Sequence, residues 1–343
     1  MTPNAGEDLS RHALAIVGCV ESGVLEQLFV RMAGSLRKFG GRLSQIEIYA
    51  VTPRVGPPLA PATRRSMAEL DVQHVRLRAR HRYAWHHYLN KPLALAKIEA
   101  ITRAETIVWL DSDVLCLREP IDLLLPPSID FVASAPDKGV IGSSGRDDPN
   151  DSFWRRAAAF IGMDVDDLPW VDASTGLRLR FYWNSGVLAY RASSQLGREY
   201  LADCLRFLDE RVARSHNQVH FMDQAVLGLT VLRLGLVWKP LLDSYNFPLL
   251  NHLADHYEAA RLAPVRLLHF HDSMLPRHWP RLLAALRQPH PEVYEWLAPQ
   301  GPLGDLTPAP WRLFREALRL QRGVRRRLYY TRSGFAKPSA GPR

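Results

Sequence analysis

The chain has 343 residues, 47% of them hydrophobic and 23% charged, which is ample for one large α/β core and too ordinary for wholesale disorder. Its net charge of +9 sits at one end: residues 311–343 hold ten Lys or Arg against Glu316 alone, while the remainder carries 34 side chains of each sign. A core that binds nucleic acid is therefore disfavoured; the three cysteines, Cys19, Cys116 and Cys204, have no metal-ligand spacing and read as small hydrophobes of a reducing compartment.

In chain order, 13–20 reads as a strand and 24–39 as the helix after it. A second strand, 45–51, closes at Thr52-Pro53; a Pro-rich loop over 53–61 leads to a short helix, and 72–77 is a third strand. The helix 91–102 delivers the chain to 105–110, nearly all apolar, as a strand buried on both faces must be. A strand at 129–134, a surface loop at 137–151, a strand at 181–190, helices at 195–213 and 221–234, and a late strand at 265–270 follow. Helical, proline-punctuated sequence runs to about 300. This alternation predicts an α/β fold, divided into a main domain at 10–300, a Gly/Pro-rich linker at 301–310 and a basic amphipathic tail at 311–343. No apolar run reaches the roughly 20 residues that span a bilayer, so a cytoplasmic protein, peripheral on the inner face of the membrane at most, is expected. G-x-G-x-x-G and G-x-x-x-x-G-K-[ST] loops do not follow the early strands, which argues against dinucleotide dehydrogenases and P-loop enzymes.

The central chemical signal is Asp111-Ser112-Asp113, directly after the buried strand at 105–110. Carboxyl ends of strands are where open α/β sheets bind ligands. Residues i and i+2 of extended chain point the same way, so both carboxylates can face one hard divalent cation, Mg²⁺ or Mn²⁺. The second D-x-D, Asp164-Val165-Asp166, follows no strand and reads as a turn or helix cap. His269 lies in 265–271, where 265, 267, 269 and 271 share one strand face; it is the candidate third ligand, a nitrogen that favours Mn²⁺, and His271 is its rival.

Taken in order, Leu110–Asp113, Asn184-Ser185-Gly186-Val187, Asp223-Gln224, and His269-Phe270 followed by Arg277-His278-Trp279 resemble the GT-A nucleotide-diphospho-sugar transferases, particularly the retaining family-8-like glycosyltransferases, over about residues 12–285. The resemblance implies a GT-A-type, Rossmann-like mixed sheet flanked by helices, with metal ligands Asp111, Asp113 and His269. It places donor-binding residues at Lys91, Asn184, Gly186 and Arg277, with Glu21 where the family carries an acid that contacts the base. Lys91 has the alternative of a plain solvated lysine, and His278 competes with Arg277 for the diphosphate. Asp223 and Gln224 are the expected catalytic pair, able to bind sugar hydroxyls; as an N-cap, Asp223 would need no function. The implied reaction is transfer of a sugar, with retention if it follows the retaining enzymes it resembles, from a nucleotide-diphospho-sugar, UDP-linked by the resemblance, to a saccharide or glycolipid acceptor of the cell envelope. Alternatives are a sugar nucleotidyltransferase and a non-catalytic sugar- or membrane-binding protein.

The tail carries an apolar helical stripe (Leu313, Phe314, Ala317, Leu320, Val324, Leu328) opposite an arginine stripe (Arg312, Arg315, Arg319, Arg322, Arg326). That pattern suits an anionic membrane surface; the alternative is a helix packed on the catalytic domain.

Overall fold

The computed structural model describes residues 13–79, 81–136, 139–173 and 176–335. Asp137 and Lys138 of the expected surface loop, residues 10–12 and the tail beyond 335 lie outside them.

The strands are β1 (Leu14–Cys19), β2 (Glu47–Arg54), β3 (Val72–Ala79), β4 (Thr106–Leu110), β5 (Val114–Cys116), β6 (Phe131–Ser134), β7 (Trp170–Asp172), β8 (Arg178–Arg180), β9 (Asn184–Arg191), β10 (Trp238–Leu241), β11 (Phe247–Pro248) and β12 (Leu267–His269). Seven form one sheet in the order β10-β6-β9-β4-β1-β2-β3. β9 runs antiparallel to β4 and β6, and the other neighbouring pairs are parallel. The expected Rossmann-like mixed sheet flanked by helices is thus present.

Alternating side chains supply its two cores. Ala15 and Val17 of β1, with Ile107 and Trp109 of β4, face one layer, which includes Ala94, Leu95 and Ile98 of the helix Asn90–Glu99. Leu14, Ile16, Val108 and Leu110 face the other, against Phe29, Met32, Ala33 and Leu36 of the helix Val24–Phe39. Leu14–Cys19 is buried throughout, as is Thr106–Leu110, because helices cover both faces.

Two pairings position the residues after β4. β5 continues from Asp113 and pairs antiparallel with β12 in the register Val114↔His269, which sets His269 beside Asp113. β9 pairs with β4 in the register Leu110↔Val187, which brings Asn184-Ser185-Gly186 against Asp111.

The helix Asp151–Phe160 was not legible next to the Gly/Ser-rich loop before it; Phe153, Trp154, Ala157 and Phe160 bury one face of it. Residues 301–310 lie against the core: Arg31 Nη2 donates to Gly301 O at 2.6 Å, and Leu303 N to Met274 O at 2.9 Å. The helix Ala309–Arg332 follows. Its Tyr329 packs edge-on against Tyr83 and donates to Leu208 O at 3.0 Å. Arg315 and Arg322 of its arginine stripe turn toward the core, with Arg322 Nη2 donating to Val55 O at 2.6 Å. The apolar stripe looks outward, Leu313 and Leu320 being 83% and 72% exposed. Among the described residues no helix is long and apolar enough to cross a membrane.

Candidate active site

Among the described residues one group of potential metal ligands converges: Asp113, His269 and His271 offer atoms that all lie within 4.8 Å of one another. His269 Nε2 is 3.2 Å from Asp113 Oδ2, and His271 Nδ1 is 3.9 Å from the same oxygen. The imidazoles stack at 4.1 Å with 23° between planes. His271 reaches this position with φ of 49°, a left-handed backbone uncommon for a residue with a Cβ. His269 Nδ1 lies 3.0 Å from Asn246 Oδ1. If Nδ1 carries the proton toward that oxygen, Nε2 is left with its lone pair toward Asp113, the tautomer a metal needs.

Electrostatics bind the pair together. Burial pushes the Asp113 carboxyl up, but the charge and hydrogen bond of His269 outweigh it and hold the carboxyl at about 2. Burial pushes His269 down, yet Asp113 first and Asp111 further away raise it overall. His271 falls to about 4, chiefly through burial and then the charge of His269. One carboxylate oxygen and two imidazoles make a mixed oxygen and nitrogen donor set, which fits a divalent transition ion such as Mn²⁺ better than Mg²⁺.

Asp111 is not in this group. Its Oδ1 accepts from Trp109 Nε1 at 2.6 Å and faces Lys91 Nζ at 3.3 Å, which turns it from the imidazoles toward the neighbouring helix. Lys91 is only 4% exposed, so it is no solvated surface lysine. Its ammonium donates to Ser185 O and Ser185 Oγ, both at 2.6 Å, and lies 3.7 Å from Asp223 Oδ2. Ser185 Oγ donates in turn to that same oxygen at 2.8 Å. Asp223, 2% exposed in the first turn of the helix Met222–Arg233, is no N-cap; that position belongs to Phe221. Burial raises its pKa against the pull of Lys91 and Ser185, and its Oδ1 is buried without a hydrogen-bond partner. Gln224 is half-buried beside it.

Gly186 N donates to Asn184 Oδ1 at 2.9 Å. A Cβ at Gly186 would stand 2.9 Å from His269 Cε1 and Nδ1, so the close approach of β9 to the imidazole requires glycine. Asn184 also lines a cavity of about 330 Å³ with Ser134, Asn246, Pro248, Asp255 and Arg261. Ser134 Oγ and Asn246 Nδ2, both buried, have no hydrogen-bond partner there.

Two expected donor-binding residues stand apart from the group. Arg277 is exposed and held at 3.1 Å by Asp272. Glu21 is gripped by Arg54 through both oxygens, at 2.9 and 2.6 Å, and accepts from Asn90 at 3.2 Å. The other D-x-D caps a turn, Asp164 Oδ1 accepting from Asp166 N at 2.9 Å. Trp109, Ser185 and Asn246 were not singled out from sequence. Trp109, two residues before Asp111, had the spacing signal; Asn246 had none, because only folding brings it to His269.

Residues 16–235 match the Rhodobacterales glycosyltransferase domain. Solved structures of similar shape include mouse xyloside xylosyltransferase 1, 13% identical, covering 76% of this chain and 97% of that one at a TM-score of 0.43. The galactosyltransferase LgtC, in complex with donor and acceptor sugar analogues, is 17% identical over 87% of this chain and 99% of its own, at a TM-score of 0.47. The glycosyltransferase GlyE of Streptococcus pneumoniae is 17% identical over 87% of this chain and 66% of its own, at a TM-score of 0.45. No curated protein is detectably similar in sequence.

Proposed function

The chain belongs to the Rhodobacterales glycosyltransferase domain family, and from that premise we propose that it moves a sugar from a UDP-linked donor to a saccharide or glycolipid acceptor with the help of a divalent cation, Mn²⁺ before Mg²⁺. Family membership sets aside the nucleotidyltransferase and the non-catalytic protein. The observation that carries the metal reading is the convergence of Asp113, His269 and His271 at the carboxyl edge of the sheet.

Asp113, His269 and His271 would hold the cation, with Asp111 two residues from Asp113 beside Lys91. When bound, such an ion supplies Lewis-acid stabilisation to a departing diphosphate. Lys91 stands beside Asp111 and Asp223 as a fixed buried cation able to meet donor charge. Asp223, with its unpaired Oδ1, and Gln224 are placed to bind hydroxyls of the transferred sugar. If the reaction retains configuration, attack comes from the leaving-group face or through a covalent intermediate on a group such as Asp223. The cavity beside Asn184 and Asn246 is our candidate site for a sugar ring: its unpaired Ser134 Oγ and Asn246 Nδ2 offer hydrogen bonds that sugar hydroxyls can complete.

The outward apolar stripe of the C-terminal helix supports peripheral attachment to the inner face of an anionic membrane, where a cell-envelope glycolipid would be met. The test of the donor assignment is hydrolysis of a panel of nucleotide sugars in Mn²⁺; UDP-sugars should be cleaved, and cleavage confined to another base would overturn that part of the reading.

A further inference from the structure

Between the C-terminal helix and the loops after β2 and β3 lies a second cleft, of about 490 Å³, lined by Arg54, Trp85, His87, Arg319, Arg322 and Arg326 together with the helix's Arg315, Glu316 and Gly323. Its cations are unequally paired. Arg54 is neutralised by Glu21, Arg315 lies 2.8 Å from Asp305, and Arg319 lies 3.6 Å from Glu316. Arg322 donates to a neutral carbonyl, Val55 O, and among the described residues is in no ion pair. Among the described residues Arg326 has no carboxylate partner.

Like charges gathered at a concave surface repel one another, and the repulsion is visible in their neighbours. The Arg322 pKa is lowered by burial first and by Arg54 next, against the opposing charge of Glu21. His87 is lowered to about 4 by burial, then by Arg54, with Arg326 contributing. A multivalent oxyanion would relieve this, because guanidinium groups grip phosphate oxygens two at a time. From the cleft, His87 leads toward the acidic cluster: its ring stacks on Tyr88 at 4.2 Å, and Tyr88 OH lies 3.0 Å from His220 Nε2. Besides burial, the charges of Asp223, Asp111 and Asp113 act on the Tyr88 hydroxyl, which puts it within electrostatic reach of the site.

We propose that this arginine cleft binds a phosphate-type dianion, the phosphate or diphosphate that the acceptor carries, and so holds the acceptor's sugar toward the acidic cluster. This rests on the glycosyltransferase reading above and adds to it that the acceptor is anionic. The helix suits such a role because its two faces are divided: arginines toward the cleft, and Leu313, Leu320, Val324 and Leu328 outward.

The test is calorimetric titration of the full chain with inorganic pyrophosphate in EDTA, where no cation can hold the probe at Asp113. The wild type should bind. Arg326→Gln should weaken binding about tenfold and the double change Arg322→Gln/Arg326→Gln considerably more, while Arg327→Gln, the same charge change outside the cleft, should leave it unaltered. Arg326 is exposed, so its single variant decides the matter even if the double variant fails to fold. An equal loss in Arg327→Gln overturns the proposal.

A second titration in UDP and Mg²⁺ separates the two sites. Pyrophosphate binding that persists supports an acceptor site; displacement by UDP makes the cleft part of the donor site and refutes the acceptor assignment. If UDP itself fails to bind in that mixture, the donor reading fails while the Arg326-dependent isotherm stands. A vesicle arm distinguishes the source of the phosphate: Arg326-dependent binding to phosphatidic acid in phosphatidylcholine, without binding of free pyrophosphate, assigns the cleft to a lipid phosphate, and binding of neither ends the proposal.

Discussion

His269 Nε2 stands 3.2 Å from Asp113 Oδ2, and Asn246 Oδ1 holds the same imidazole from behind through Nδ1 at 3.0 Å. The two contacts come from different parts of the chain, and together they fix the orientation of the ring. Asn246→Ala leaves the three ligand-type side chains in place but releases the ring. Mn²⁺ affinity, read by titration against the electron paramagnetic resonance signal of the free ion, should fall about 10- to 100-fold. An unchanged affinity would mean that Asn246 does not orient His269.

Gly186→Ala should be worse for the site than for the fold. The added methyl must displace the His269 ring, or Asn184 Oδ1 at 3.2 Å, in a closely packed place. A stability loss of about 1–3 kcal/mol by thermal denaturation is expected, with Mn²⁺ binding lost. Retention of wild-type metal affinity would show that β9 can move away from the imidazole at little cost.

Lys91→Met leaves the buried carboxylate of Asp223 without its cation. Removing one partner of a buried pair costs about 3–5 kcal/mol, so chemical denaturation should show a large loss. Lys91→Met/Asp223→Leu should recover part of it, since both charges then vanish. A single variant as stable as wild type would mean that Ser185 alone suffices for Asp223.

Metal-free protein should show two limbs in its stability against pH. The Asp113 carboxyl, held at about 2 against an ordinary 3.8, stabilises the fold above the ordinary value and loses that contribution as pH falls through the folded one. The raised His269 contributes fully below its ordinary 6.5 and loses the contribution as pH rises through its folded value. Asp113→Asn should flatten both limbs in the dependence of Tm on pH in EDTA; an unaltered profile would contradict the coupling.

Much of this was legible in the sequence because it is local. The apolar run before Asp111 announced β4; the strand expected at 265–270 is shorter, Leu267–His269, and His271 joins His269 through a left-handed turn rather than a shared strand face. Asp113 joins them as expected, whereas Asp111, expected beside it, is engaged by Trp109 and Lys91. Those are tertiary facts, as is the hold of Arg54 on Glu21. The tail's two stripes were readable from period alone, but not which would face the core. Arg315 and Arg322 turn inward, where Asp305 and Val55 O supply acceptors, while the leucines of the opposite stripe point outward.

Those leucines give a prediction that spares the packing of Tyr329. Leu320→Ser/Val324→Ser should weaken co-sedimentation with anionic vesicles several-fold without changing Tm, as both side chains are exposed. Equal binding by the variant would refute attachment through this stripe.

The central claim is that Asp113 serves a divalent cation that sugar transfer requires. The direct measurement is release of UDP from a UDP-sugar by wild-type and Asp113→Asn protein, each in EDTA and in saturating Mn²⁺. The account predicts release by the wild type in Mn²⁺ only, and by the variant in neither, with both proteins folded by circular dichroism. Release by the wild type in EDTA at the Mn²⁺ rate, or by Asp113→Asn at the wild-type rate, would contradict it.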